Sequence, residues 1–165
     1  MARGLLVGCG CRARAAGARL LDEGWQVRGT TRDPKRAAEI ERAGIEAAIA
    51  DPDRVATVVD HVADVAVVAW LLASARGEPH AVAALNGPRL ARLCEELVDT
   101  PVRGIVYEAA GSAAAEALAE GRRVVEEASR RWRIPVEVVD HDPGDHAGWA
   151  RAAADACRRL TTGRG

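Results

Sequence analysis

The residues best suited to chemistry lie in Gly8-Cys9-Gly10-Cys11-Arg12-Ala13, with Gly17 four positions on. The spacing is G-x-G-x-x-G/A, and each small residue has a physical job. Gly8 permits a tight turn, Gly10 lets the backbone approach a diphosphate, and Ala13 and Gly17 let a following helix pack closely on a sheet. The amides at the start of that helix would meet the ligand's charge, and Cys9 and Cys11 act as small spacers. About 20 residues beyond the glycines, an NAD site carries an acidic residue for the ribose hydroxyls. Here the stretch reads Thr31-Arg32-Asp33-Pro34. A guanidinium and a hydroxyl suit a 2′-phosphate, so the expected cofactor is NADP, with NAD the less favoured alternative. Asp33 before Pro34 reads as a helix cap, and Arg12, Lys35 and Arg36 add positive potential.

The elements that would position these groups follow from hydrophobic period and punctuation. Leu5-Leu6-Val7 is a short apolar run ending in glycine, the mark of a strand buried on both faces. A helix is expected from Arg12 to Glu23, stopped by Gly24, then a strand from Trp25 to Thr31 and a helix opened by Asp33-Pro34. The alternation continues with a strand at Glu46 to Ala50, a helix from Pro52 to Val62, a strand at Val65 to Trp70 and one long helix from Pro79 to Val98. A strand at Arg103 to Tyr107, a helix from Ser112 to Trp132 capped by Ser112, a strand at Val136 to Val139 and a helix from Asp145 to Leu160 complete it. The tail from Thr161 is expected to fray. The fold class is α/β: one doubly wound Rossmann domain over residues 1–165, a six-stranded parallel sheet in the order 3-2-1-4-5-6 with helices on both faces. No separate substrate domain is expected.

Composition narrows the function classes. Apolar residues at 48% and charged residues at 28% describe a globular chain. The net charge of -1 provides no general attraction to nucleic acid or to an anionic membrane. No apolar run reaches the roughly 20 residues that span a bilayer, and no signal-peptide pattern opens the chain, so a cytoplasmic location is expected. Cys9, Cys11, Cys94 and Cys157 lack zinc-type spacing and read as free thiols, with no metal site expected.

Val7-Gly8-x-Gly10-x-x-Ala13, Thr31-Arg32-Asp33-Pro34 and Asp51 after the third strand together resemble the atypical short-chain dehydrogenases/reductases, including NmrA-like and NAD(P)H-binding proteins. The resemblance covers the half up to Trp70 well and the remainder loosely. It implies a place for Asp51 beside the adenine; the alternative is a helix cap before Pro52. Active members of that superfamily use a Tyr-x-x-x-Lys pair and a serine near the end of strand five. Here Tyr107 is the only tyrosine, Gly111 stands where the lysine would be, and the only lysine is Lys35. Arginine cannot take over, because it does not deprotonate in proteins.

Three clusters fall at the carboxyl ends of the later strands, where ligands of open α/β sheets bind. They are Trp70 to Ser74, Tyr107 to Ser112, and Asp140-His141-Asp142-Pro143-Gly144-Asp145-His146. Trp70 either walls the cofactor site or fills the core. Tyr107, Glu108 and His141 are the candidate acid–base groups. The alanines from Ala113 to Ala119 suit close helix approach and suggest a homodimer face. Three readings stay open: an NADP(H)-binding or redox-sensing protein without the Tyr-Lys dyad, a small NADP-dependent oxidoreductase using unconventional residues, and an interaction module that binds no nucleotide.

Overall fold

The computed structural model describes residues 1–162. Six strands form one parallel sheet in the order β3-β2-β1-β4-β5-β6. They are β1 (Arg3–Val7), β2 (Gln26–Thr31), β3 (Glu46–Ile49), β4 (Val67–Trp70), β5 (Gly104–Glu108) and β6 (Val136–Val139). Seven helices connect or follow them: α1 (Cys11–Asp22), α2 (Ala37–Arg42), α3 (Val55–Val59), α4 (Pro79–Asn86), α5 (Pro88–Leu97), α6 (Ala115–Trp132) and α7 (His146–Thr162). The doubly wound order expected from the sequence is the one observed. Its direction reverses at β1 and β4, and that junction is where a crevice opens beyond the strand ends.

The pleat explains the two cores. Successive side chains of a strand point to opposite faces. Leu5 and Val7 therefore join Trp70, Ile105 and Tyr107 in a core under α3 to α6. Leu6 joins Val67, Ala69 and Val106 in a second core under α1, α2 and α7. Every residue of β4 and β5 is buried; β4 reads as an unbroken apolar run, and β5 departs from one at Glu108. Gly24 (φ +89°) and Gly44 (φ +82°) end α1 and α2 in the left-handed conformation. Asp33 caps the 3₁₀ turn at Pro34–Arg36, with Oδ1 accepting from Lys35 N–H at 2.9 Å.

Several boundaries differ from the sequence expectation for local reasons. The long helix from Pro79 to Val98 is two helices, because Pro88 has no N–H to continue the first and Gly87 takes a non-helical backbone (φ -114°, ψ -103°). The helix expected from Pro52 starts only at Val55. Its first turn is replaced by side-chain bonds, with Asp51 Oδ1 accepting from Asp53 N–H at 2.9 Å and Thr57 Oγ1 accepting from Asp51 N–H at 2.8 Å. Ser112 does not cap α6, which begins after Ala114; the Ser112 N–H donates to Ser74 Oγ at 3.2 Å. Thr161 and Thr162 extend α7, their hydroxyls bonding Arg158 C=O, while the rest of the expected frayed tail lies outside the described residues.

The inner end of β5 depends on a glycine in α6. A Cβ at Gly121 would overlap the Tyr107 ring and hydroxyl. Overpacking of this kind costs about 1–3 kcal/mol. Gly121→Ala is accordingly expected to lower stability in denaturant titration by that amount without changing the slope.

Candidate functional site

A cleft of about 630 Å³ lies beyond the carboxyl ends of the strands, floored by the β1–α1 loop. Gly8 makes the bend at φ +86°, and a Cβ there would stand 2.7 Å from Leu72 Cδ2 and 2.8 Å from the Leu71 carbonyl oxygen. No other residue fits this turn. Thr30 pins the bend from β2, its Oγ1 accepting from Gly8 N–H at 3.3 Å and its C=O accepting from Cys9 N–H at 3.1 Å. Gly10 is the opposite case: a Cβ there would meet nothing within 4 Å, so the loop is open on the side that faces the cleft. Farther along α1, a Cβ at Gly17 would come within 2.6 Å of Ile45 Cδ1, so Gly17 allows the helix its close approach.

The two cysteines of the loop differ. Cys9 is buried against Gly29, and burial pushes its thiol up to about 12, with Arg14 working weakly the other way. Cys11 is the first residue of α1, exposed and in the cleft wall. All four cysteines are free thiols.

Five arginines and two carboxylates line the cleft: Arg12, Arg14, Arg32, Arg36, Arg76, Glu39 and Glu108. Thr31 and Arg32 stand at its β2 side as the sequence suggested, whereas Lys35 is not part of the wall. Thr31 Oγ1 also accepts from Asp33 N–H at 3.1 Å, and Arg32 lies 3.7 Å from Asp53 with 60% of its side chain exposed. Arg14 and Arg76 were not singled out in the sequence. Arg14 sits two residues past Arg12 on α1, and its guanidinium reaches back to Cys9 C=O at 3.4 Å.

The other end of the cleft is a buried polar cluster. Glu108 ends β5 with 1% exposure, and its Oε1 accepts from Ala73 N–H at 2.9 Å. Its Oε2 has no hydrogen-bond partner, and neither do Trp149 Nε1 and Arg12 Nε beside it. Arg12 Nη2 lies 3.6 Å from Oε2 and 3.3 Å from Ser74 Oγ, and its guanidinium sits over the Trp149 ring, 5.3 Å from the centroid. Burial raises the Glu108 pKa above the usual range, while the Ala73 amide, Arg12 and Trp149 oppose that rise. The floor here is knit by Gly111, where any Cβ would collide with the Ala73 carbonyl, and by Ala113 N–H donating to that carbonyl at 2.9 Å.

Compared with known proteins, the sequence matches no family profile and no curated relative. Solved structures do match in shape. A short-chain dehydrogenase/reductase superfamily protein from Agrobacterium tumefaciens, solved with bound NAD, superposes with a TM-score of 0.69 at 18% identity over 82% of this chain and 48% of its own. The Citrobacter sp. triphenylmethane reductase, complexed with NADP(H), gives 0.63 at 19% identity over 84% and 49%. The yeast methylglyoxal/isovaleraldehyde reductase, complexed with NADPH, gives 0.67 at 11% identity over 83% and 56%. The fold is the doubly wound Rossmann fold that these three proteins share. The chain spans about half the length of these three proteins.

Within that fold the sequence candidates separate sharply. Tyr107 faces away from the cleft: fully buried, it donates to Asn86 Oδ1 at 2.8 Å and Leu118 C=O at 3.0 Å, and burial, then the Glu108 charge, push its pKa up. Trp70 is also core and not a cleft wall, its Nε1–H donating to Leu85 C=O at 3.1 Å. Asp51 stands between two wall residues, Ala50 and Pro52, with one oxygen spent on the Asp53 amide. His141 lies outside the cleft, paired with Asp145 at 2.8 Å; that hydrogen bond holds the Asp145 carboxyl below its usual range. Of the three acid–base candidates only Glu108 lines the cleft, joined by His146 and Trp149 from α7.

The buried carboxyl has a signature in stability. Its folded pKa lies above the ordinary glutamate value of 4.5, so folding favours the protonated form. That contribution is full below 4.5 and is lost as pH rises through the folded pKa. The neutral Glu108→Gln protein escapes the loss. Its melting temperature relative to wild type is expected to climb over that interval and then level off; a constant difference across pH would show that Glu108 titrates as an ordinary surface acid.

Proposed function

We propose that this chain binds NADP(H) in the cleft and that, without a Tyr-Lys dyad, it acts as a cofactor-binding or redox-sensing protein in the cytoplasm. The observation that carries the reading is the contrast within the glycine loop. Gly8 is needed by the protein's own packing, but nothing in the chain makes use of the space above Gly10. Amides left bare at the head of a 12-residue helix, in a cleft lined by five arginines, suit a diphosphate. In this reading the amides of Cys11 to Ala13 take the diphosphate, while Gly8, Cys9 and Gly10, whose own N–H donates to Gly8 C=O at 2.9 Å, shape the loop. Thr31 and Arg32, with Arg36 nearby, take a 2′-phosphate by charge-assisted bonds.

A bound nicotinamide dinucleotide would supply hydride-transfer capacity. For catalysis the chain's own contribution is limited: the one tyrosine is tied into the core, and the one lysine is outside the cleft. Glu108 is the group that an oxidoreductase reading would rest on. The dinucleotide-bound reductases of similar shape support the cofactor class, and the arginine-rich β2 side supports NADP over NAD.

Calorimetric titration tests this directly. Wild type is expected to bind NADP and NADPH tighter than NAD and NADH, and Arg32→Ala to erase most of that preference, roughly tenfold for one charge-assisted contact. Gly10→Ala should melt like wild type without ligand yet bind every dinucleotide at least about tenfold more weakly, since its methyl fills only the ligand's space. Saturable binding that survives Gly10→Ala unchanged would move the ligand elsewhere.

A further inference from the structure

The polar cluster at the β5 end of the cleft asks for a ligand of particular chemistry. Three polar atoms on three elements, Arg12 Nε of α1, Glu108 Oε2 of β5 and Trp149 Nε1 of α7, are buried and lack partners at one place. Arg12 and Trp149 both face the Glu108 carboxyl and oppose its rise in pKa, but neither closes a hydrogen bond on Oε2. The group now filling the space is itself informative. It is a planar cation, the Arg12 guanidinium, lying over an indole face beside a carboxyl. The indole quadrupole and the Glu108 oxygen both favour positive charge at that spot.

Arg12 also belongs to the glycine loop. A diphosphate at the loop would draw the Arg12 guanidinium toward it and away from Glu108 by charge-assisted bonding. When it turns to the phosphates, the flat, electron-rich slot between Trp149 and Glu108 is vacated and needs another planar cation. Resting on the dinucleotide reading above, we infer that the Trp149–Glu108 slot receives the nicotinamide end and discriminates its redox state, favouring the oxidised, positively charged ring over the neutral reduced one. Ser74 fits the same slot, because its hydroxyl oxygen already accepts from Ser112 and Arg12 and its proton is free to donate to a ligand oxygen. The other charged groups facing the cleft at this end are Arg76, which follows β4, and His146 at the start of α7. Neither is among the groups that hold the Glu108 carboxyl. The discrimination therefore falls on Glu108 and Trp149.

Separate titrations of NADP and NADPH into the intact protein read the ratio of the two dissociation constants. Wild type is expected to hold NADP about tenfold tighter than NADPH, the size of a desolvated cation–π contact with an adjacent charge. Glu108→Gln keeps the volume, and its amide oxygen can still accept from Ala73, so it should fold; the ratio should fall toward one. Trp149→Leu should lower the ratio as well, through loss of the ring face. Equal affinity of wild type for the two forms, or tighter NADPH, would overturn the inference while leaving the cofactor reading intact. Binding of neither form would instead sink the cofactor reading.

Discussion

The structure depends on one bend. At the end of β1 the chain must turn sharply enough that the next helix begins over the crevice between β1 and β4. The room for that turn is set by the Leu71 carbonyl and the Leu72 side chain on one side and by Thr30 on the other. Gly8 satisfies it with a positive φ and no side chain. From this bend follow the direction of α1, the bare amides at its start and the position of Arg12. Because the bend is held by β2 and by the chain leaving β4, it is part of the sheet's architecture and is preformed.

Electrostatics then divides the cleft in two. The β2 side is an arginine field around an open loop, in which exposed ion pairs such as Arg32 with Asp53 contribute little stability and leave the cations available to a ligand. The β5 side is its opposite: one carboxyl, almost wholly desolvated, kept tolerable by the Ala73 amide and by Arg12. Among the described residues, Arg12 is the arginine that stands in the glycine loop and also reaches Glu108. Its guanidinium, carried by the first turn of α1, holds the Glu108 pKa down against the effect of burial.

How much of this was legible in the sequence follows from where the determining interactions lie. The strands and the glycine-capped helices are specified locally, by apolar runs and by Gly24 and Gly44, so their alternation could be read directly, and the right-handed crossover rule then gave the sheet order. The break at Gly87-Pro88 was equally local; there the apolar period across both helices outweighed a proline whose effect on the backbone is decisive. Tyr107 and Glu108 are adjacent, so the pleat sends them to opposite faces, but which face meets the cleft depends on β5 lying between β4 and β6. Register made Trp70 the neighbour of Tyr107 and placed both in the core. Trp149 and Arg76 reach the cleft from segments far from the glycine loop, and no spacing within one segment announces them.

The central claim is that the backbone amides of the glycine loop bind a diphosphate. Amide chemical shifts of isotopically labelled protein titrated with NADPH measure this at the atoms concerned. The account predicts the largest saturable changes at Cys11, Arg12 and Ala13, with Gly17 and the core amides of β5 little moved. Saturable changes confined to other surfaces, or none in the loop at millimolar ligand, would contradict it.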